Sequence, residues 1–169
     1  MSKNLAKYII VFFIGAFVGW IYEVIFYYFT DGKLINRGVL FGPWLPIYGT
    51  GAILIYFFKF FKKNPIILFL SIMIITGILE YLVGYFFLKF FDMKLWDYDG
   101  LLFNIHGLVC LRSVITFAIG GMVLIYLVDP IIEKIIKKQS KVLNIAVVVL
   151  VFLFIVDTIL SLLFRTPHS

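Results

Sequence analysis

A chain of 169 residues that is 63% hydrophobic and 20% aromatic, with 14% charged side chains and a mean hydropathy of +1.10, has too little polar surface to cover a soluble core. The formal charge of +6 does not point to nucleic acid, because Lys and Arg fall in small groups between apolar runs rather than along one face. One cysteine, Cys110, excludes an internal disulfide and a Cys-rich metal site, and no cofactor is expected.

A transmembrane helix needs ~20 mostly apolar residues to cross ~30 Å of hydrocarbon. The first such run, about residues 7–29, is too long and too aromatic for a signal peptide. On the i, i+4 spacing it lines up Gly15, Gly19, Glu23 and Tyr27 on one face. The loop that follows, about residues 30–45, carries Asn36-Arg37-Gly38 and runs into Phe41-Gly-Pro-Trp-Leu-Pro-Ile-Tyr-Gly49. Its Pro and Gly forbid a regular helix. The second run, about residues 46–61, is short, so the stretch before it is a candidate re-entrant turn.

The third run, about residues 65–88, places Thr76, Glu80 and Gly84 on one face. The loop after it, about residues 89–106, offers Asp97, Asp99, Asn104 and His106. Trp44, Tyr48, Trp96 and Tyr98 read individually as an interfacial aromatic belt. The fourth run, about residues 107–128, opens near Arg112 and ends at Asp129-Pro130, and the fifth, about residues 142–164, holds Asp157. The expected fold is an all-α membrane bundle of about five helices in one integral membrane domain, residues 1–169.

The positive-inside rule sets the orientation. With the N-terminus inside, that side holds nine Lys, at positions 3, 7, 59, 62, 63, 134, 137, 138 and 141, against six basic residues outside. The expected protein sits in the cell membrane with a cytoplasmic N-terminus and an extracellular C-terminus. A shift of 57 residues sets Gly19-Trp-Ile-Tyr-Glu23 beside Thr76-Gly-Ile-Leu-Glu80, and a shift of 58 sets Pro46-Ile-Tyr-Gly49 beside Asn104-Ile-His-Gly107. This reads as a weak parallel repeat of helix, loop and helix, about residues 7–61 and 65–128, with the segment 142–164 as an additional helix.

Three carboxylates, Glu23, Glu80 and Asp157, lie inside expected spans. A charge at the bilayer centre costs at least ~2.5 kcal/mol, so each needs a partner, a proton or a wet cavity. All three fall in the outer half of their spans, with Arg37 and Arg112 as the nearest candidate partners. The expected binding residues are Glu23, Glu80, Arg112, Arg37, Asn36, Asp97, Asn104, His106 and Asp157, converging on one outward-opening polar site. The competing reading is that the ion pairs only hold helices together.

Together these residues resemble the ABC-transporter type IV family of small bacterial multi-pass proteins. The resemblance rests on Gly19-Trp20 with Glu23, Asn36-Arg37-Gly38, Gly42-Pro43, Pro46-Ile47-Tyr48-Gly49, Glu80-Tyr81, Trp96-Asp97-Tyr98, and Asn104-Ile105 with Gly107 and Leu111. Where the family pattern reads Gly-Arg after the Asn-Ile pair, this chain has Gly107-Leu108 and its nearest positive charge is Arg112. The resemblance implies a transport permease.

There is no GxxxxGK[ST], so ATP hydrolysis would need a separate ATPase subunit, and no HExxH or GxSxG appears. The expected function is a transporter or membrane solute-binding subunit for a small polar solute or cation, in contact with membrane lipids and open to homo-oligomerisation. Two alternatives stay open. One is an enzyme acting on an outer-leaflet lipid headgroup with His106 or a glutamate as base, and the other is a scaffold for a partner membrane protein.

Overall fold

The computed structural model of the protein describes residues 1–34, 36, 38–138 and 140–164, without the side chain of Asp31. The chain is all-α. Its elements are α1 (Lys3–Asp31), α2 (Pro46–Phe57) continued by a 3-10 turn (Phe58–Lys63), α3 (Pro65–Phe91), α4 (Leu111–Val123) continued by a π turn (Leu124–Val128), α5 (Asp129–Lys137) and α6 (Lys141–Phe164). Among the described residues, four helical segments are long and apolar enough to cross a membrane: Lys3–Thr30, Pro65–Phe91, Leu111–Lys137 and Lys141–Phe164. The chain is a multi-pass membrane protein.

Local chemistry sets the ends of these helices. Ser2 opens α1 by accepting from the Leu5 N–H at 3.3 Å, and Gly32 closes it at φ +67°, donating its N–H to Tyr28 O. Asn64 caps α3 with Pro65 in the first turn, where a missing N–H is harmless. Along α3 the buried residues are Leu68, Ile72, Thr76, Glu80 and Gly84, a single i, i+4 stripe. Ile74, Ile78 and Leu82 are 65%, 50% and 58% exposed and give α3 an apolar outer face suited to lipid.

The stretch expected as the second span differs in form. Its α-helix has 12 residues, a reach of about 18 Å against ~30 Å of hydrocarbon, and the 3-10 turn extends it by six. Gly38, Gly42, Pro43 and Pro46 keep the preceding chain out of helix. That loop descends instead: the Leu45 N–H donates to Ala16 O at 3.0 Å, near the middle of the 29-residue α1. The expected crossing is therefore a descending loop followed by a short helix.

The second long loop does the same against α3. His106 and Gly107 take left-handed backbone at φ +54° and +67°, Ile105 and Val109 pair in an isolated bridge, and the Leu111 N–H donates to Leu102 O at 3.2 Å. These turns delay α4 to Leu111, four residues beyond its expected start. Its first-turn residue Ser113 then meets Glu80, near the middle of α3.

The fourth expected span does not end at Asp129-Pro130. Leu111–Lys137 is continuous over 27 residues. A proline ring clashes with the carbonyl four residues back and lacks the N–H that would bond it. The π turn just before Pro130 widens the helix, with the Asp129 N–H donating to Leu124 O, and so lets the helix run on.

The chain divides into two compact units. One comprises Met1–Thr50 with Ile132–Ser169, and the other is Gly51–Ile131. The first is assembled from distant parts of the sequence, whereas the second is contiguous.

Candidate functional site

In the first unit Glu23 is half-buried on α1 and accepts from the Tyr48 hydroxyl at 2.6 Å. Gly19, one turn earlier, makes this approach possible, because a Cβ there would overlap Cβ and Cγ of Tyr48. The descending loop is fastened by Asp157 of α6. Its carboxylate accepts from the Phe41 N–H (3.2 Å), the Gly42 N–H (3.0 Å), the Trp44 indole N–H (2.6 Å) and the Ser161 hydroxyl (3.3 Å). Around Trp44 the rings of Phe13 and Phe154 pack edge-on, both at 6.0 Å. Asn36 braces the same loop, accepting from the Trp20 indole and donating to Phe41 O, both at 2.7 Å.

In the second unit Glu80 is 3% exposed. One carboxylate oxygen accepts from the Tyr98 hydroxyl at 2.8 Å and the other from the Ser113 hydroxyl at 2.7 Å. The Ser113 oxygen also lies 2.8 Å from Cys110 O and accepts from the Cys110 N–H at 3.2 Å. A hydroxyl has one proton and two lone pairs. When Glu80 is charged, Ser113 donates to it. When Glu80 carries a proton, that proton can go to the Ser113 oxygen while Ser113 turns to Cys110 O. Both charge states of Glu80 therefore keep their buried polar groups bonded, which avoids the ~1–3 kcal/mol cost of an orphan.

The remaining expected residues occupy the second loop and its surroundings. Asn104 donates to Leu101 O at 2.9 Å and accepts from the Gly107 N–H at 3.2 Å, bracing the loop internally. His106 Nδ1 is 2.9 Å from the Tyr81 hydroxyl. Asp97 is exposed and pairs with Lys94 at 2.8 Å, which also meets Asp99 at 3.1 Å. The hydrogen bond from Lys94 holds the Asp97 carboxyl below the usual carboxylate range, and the same bond raises Lys94 above its ordinary value. Arg112 is exposed in the first turn of α4 beside Ser113. Arg37 lies outside the described residues. Among the described residues no three His, Cys, Asp or Glu side chains gather to hold a metal ion.

Four partners escape a reading of the sequence. Tyr48 and Tyr98 read as belt aromatics, yet each donates its hydroxyl to a glutamate. Ser113 carries no signal beyond its place in the first turn of a helix. Asp129 reads as the end of a span, yet it is 2% exposed, accepts from the Tyr56 hydroxyl and pairs with Lys59 at 2.8 Å. Its only sequence signal is an acid directly before a helix-interrupting proline.

A family model described as Putative ABC-transporter type IV matches residues 10–162, nearly the whole chain. No curated protein and no solved structure matches it.

Proposed function

We propose, from the premise that the chain belongs to the ABC-transporter type IV family, that it is a membrane permease in which Glu80 takes up and releases a proton or a small cation. The family name and the membrane-spanning helices support the permease-type role, and the name implies partnership with an ATPase. The observation that carries the finer reading is the Glu80, Ser113 and Cys110 arrangement. A carboxyl group that stays fully hydrogen-bonded whether charged or neutral is suited to gain and lose a proton or cation without unfolding its surroundings. Glu23 with Tyr48 is the counterpart on α1, in keeping with the proposed repeat. Asp157, Asn36 and Asn104 hold the loops that deliver the tyrosine and serine partners. Arg112, His106 and Asp97, on the second loop and the first turn of α4, are assigned to selecting the solute.

The orientation with a cytoplasmic N-terminus draws support from Lys7, which bonds Glu133 at 2.7 Å and so sets the start of α1 level with the lysine-rich end of α5. The nine basic residues then lie inside. On this reading ATP is hydrolysed by a separate subunit, since the chain has no phosphate-binding loop of its own.

Infrared difference spectra of the protein in lipid discs test the site. Stepping the pH, or adding sodium or tetramethylammonium, is expected to change a protonated-carboxyl band that disappears in Glu80→Gln. A folded protein with no such Glu80-dependent change under any of these conditions overturns the reading.

A further inference from the structure

The second unit contains another charged cluster, at the end of α3 away from the loop of residues 92–110. There the chain leaves regular α-helix twice, in the 3-10 turn Phe58–Lys63 and in the π turn Leu124–Val128, and these two segments pack on each other. The links between them are polar. Asp129 is bonded by Lys59 at 2.8 Å, lies 3.8 Å from Lys62, and accepts from the Tyr56 hydroxyl. The Tyr126 hydroxyl donates to Lys62 O at 2.6 Å. Lys59 also sits over the Tyr56 ring and Lys62 over the Tyr126 ring, at 5.1 and 5.5 Å.

Two physical features set this cluster apart from a static brace. Its burial is one-sided: the Asp129 side chain is 3% exposed while Lys59 and Lys62 are 31% and 36% exposed, so water reaches the cations but not the anion. A pair of that kind contributes little net stability when made, because desolvation offsets the attraction, yet it strongly favours one arrangement over another. The two backbones it joins also have weaker or shifted hydrogen-bond ladders, which is where helices bend.

We propose that Lys59, Lys62 and Asp129 form an electrostatic latch holding the α2–α3 turn against the π turn, and that the inner end of this unit opens and closes by breaking and remaking it. The hinges are the 3-10 turn on one side and the π turn before Pro130 on the other. When the latch opens, Asp129 gains water and the lysines keep theirs, so the anion passes from its bonded arrangement to a hydrated one and is never stranded. The cluster is independent of the Glu80 proposal, since its test uses no ligand.

Spin labels at Lys63→Cys and Leu127→Cys, both at exposed positions, read the separation of the two segments in lipid discs. The expected distribution has a short and a long distance, with the long one enriched at least threefold in Asp129→Asn. Lys59→Gln, which removes a half-buried partner and spares the buried one, gives a milder shift in the same direction if Asp129→Asn fails to fold. The charge exchange Lys59→Asp with Asp129→Lys restores the short distance. A single distance, unchanged between the parent and Lys59→Gln, overturns the latch.

Discussion

The two units use one plan with different fastenings. In each, a long apolar helix carries a glutamate beyond its middle, an irregular loop packs along that helix, a tyrosine donates its hydroxyl to the carboxylate, and another helix follows the loop. The first unit fixes its loop from outside, through Asp157 on α6. The second fixes its loop from within, through the Tyr98 N–H to Gly107 O, the Trp96 indole to Leu108 O and the Ile105–Val109 bridge. Glu23 is half-buried beside the loop that is held by a separate helix, and Glu80 is sealed beside the loop that holds itself. A descending loop needs acceptors for its backbone N–H groups, and these can come from a carboxylate on another helix or from the loop's own carbonyls.

The largest test of that contrast is Asp157→Ala. It strips the acceptor from the Gly42 N–H and the Trp44 indole, while the Phe41 N–H keeps the Ser161 hydroxyl at 2.9 Å; with each orphan costing ~1–3 kcal/mol, the expected loss in thermal unfolding is about 2–5 kcal/mol. Hydrogen exchange is expected to rise in residues 41–45 and to stay unchanged in residues 92–110. Equal gains in both loops would break the comparison.

A smaller contrast lies in the glycines beneath the loops. Gly19→Ala strikes the root of Tyr48, which cannot swing away, so it is expected to cost about 2–3 kcal/mol despite the better helix propensity of alanine. In the second unit a Cβ on Gly84 meets Leu108 at 3.1 Å and Trp96 at 3.2 Å, contacts that a slight shift relieves. Gly84→Ala is expected to cost about 1 kcal/mol or less, measured by the same unfolding experiment.

The tyrosines differ in the same way. Tyr98→Phe withdraws a donor from the buried Glu80 and is expected to cost about 1.5–2 kcal/mol, whereas Tyr48→Phe acts on the more exposed Glu23 and costs about 0.5–1 kcal/mol. If the two are equal, burial does not distinguish the sites.

The smallest effect is that of pH on the exposed Lys94, Asp97 and Asp99 group. The folded Asp97 carboxyl lies below its ordinary range, so its contribution is present above that range and fades as pH falls through the lowered value. Lys94 is raised, so its contribution is present below its ordinary value and is lost as pH climbs through the raised one. The order of residues 94–99 is therefore expected to be flat through neutral pH and to loosen in acid, and more so in high salt. Local hydrogen exchange at neutral and acidic pH measures it.

Much of the fold is legible in the sequence because hydropathy sums over many residues. The long helices and the Leu68 to Gly84 stripe follow from such sums and from the 3.6-residue period. Depth is a different quantity. Nothing in the composition of residues 46–61 says that their helix begins at the level of Ala16, because that follows from a single hydrogen bond made by Leu45. Pro130 reads as a stop, since the sequence does not reveal that a π turn absorbs it. Buried acids announce themselves by rarity, so Glu23, Glu80 and Asp157 stand out. Their partners do not, since a tyrosine at a membrane interface and a serine in a first helical turn both have ordinary reasons to be there.

The dependence of the first loop on Asp157 sets an order on how the protein is made. The contiguous unit, Gly51–Ile131, has all its parts once Ile131 has left the ribosome, but the other begins with the first residue and lacks α6 until the last helix is threaded into the bilayer. Domains complete themselves in the order their residues emerge. During translation the N-terminal segment therefore waits, its Gly42 and Trp44 N–H groups without the carboxylate that will receive them, while the middle of the chain closes first.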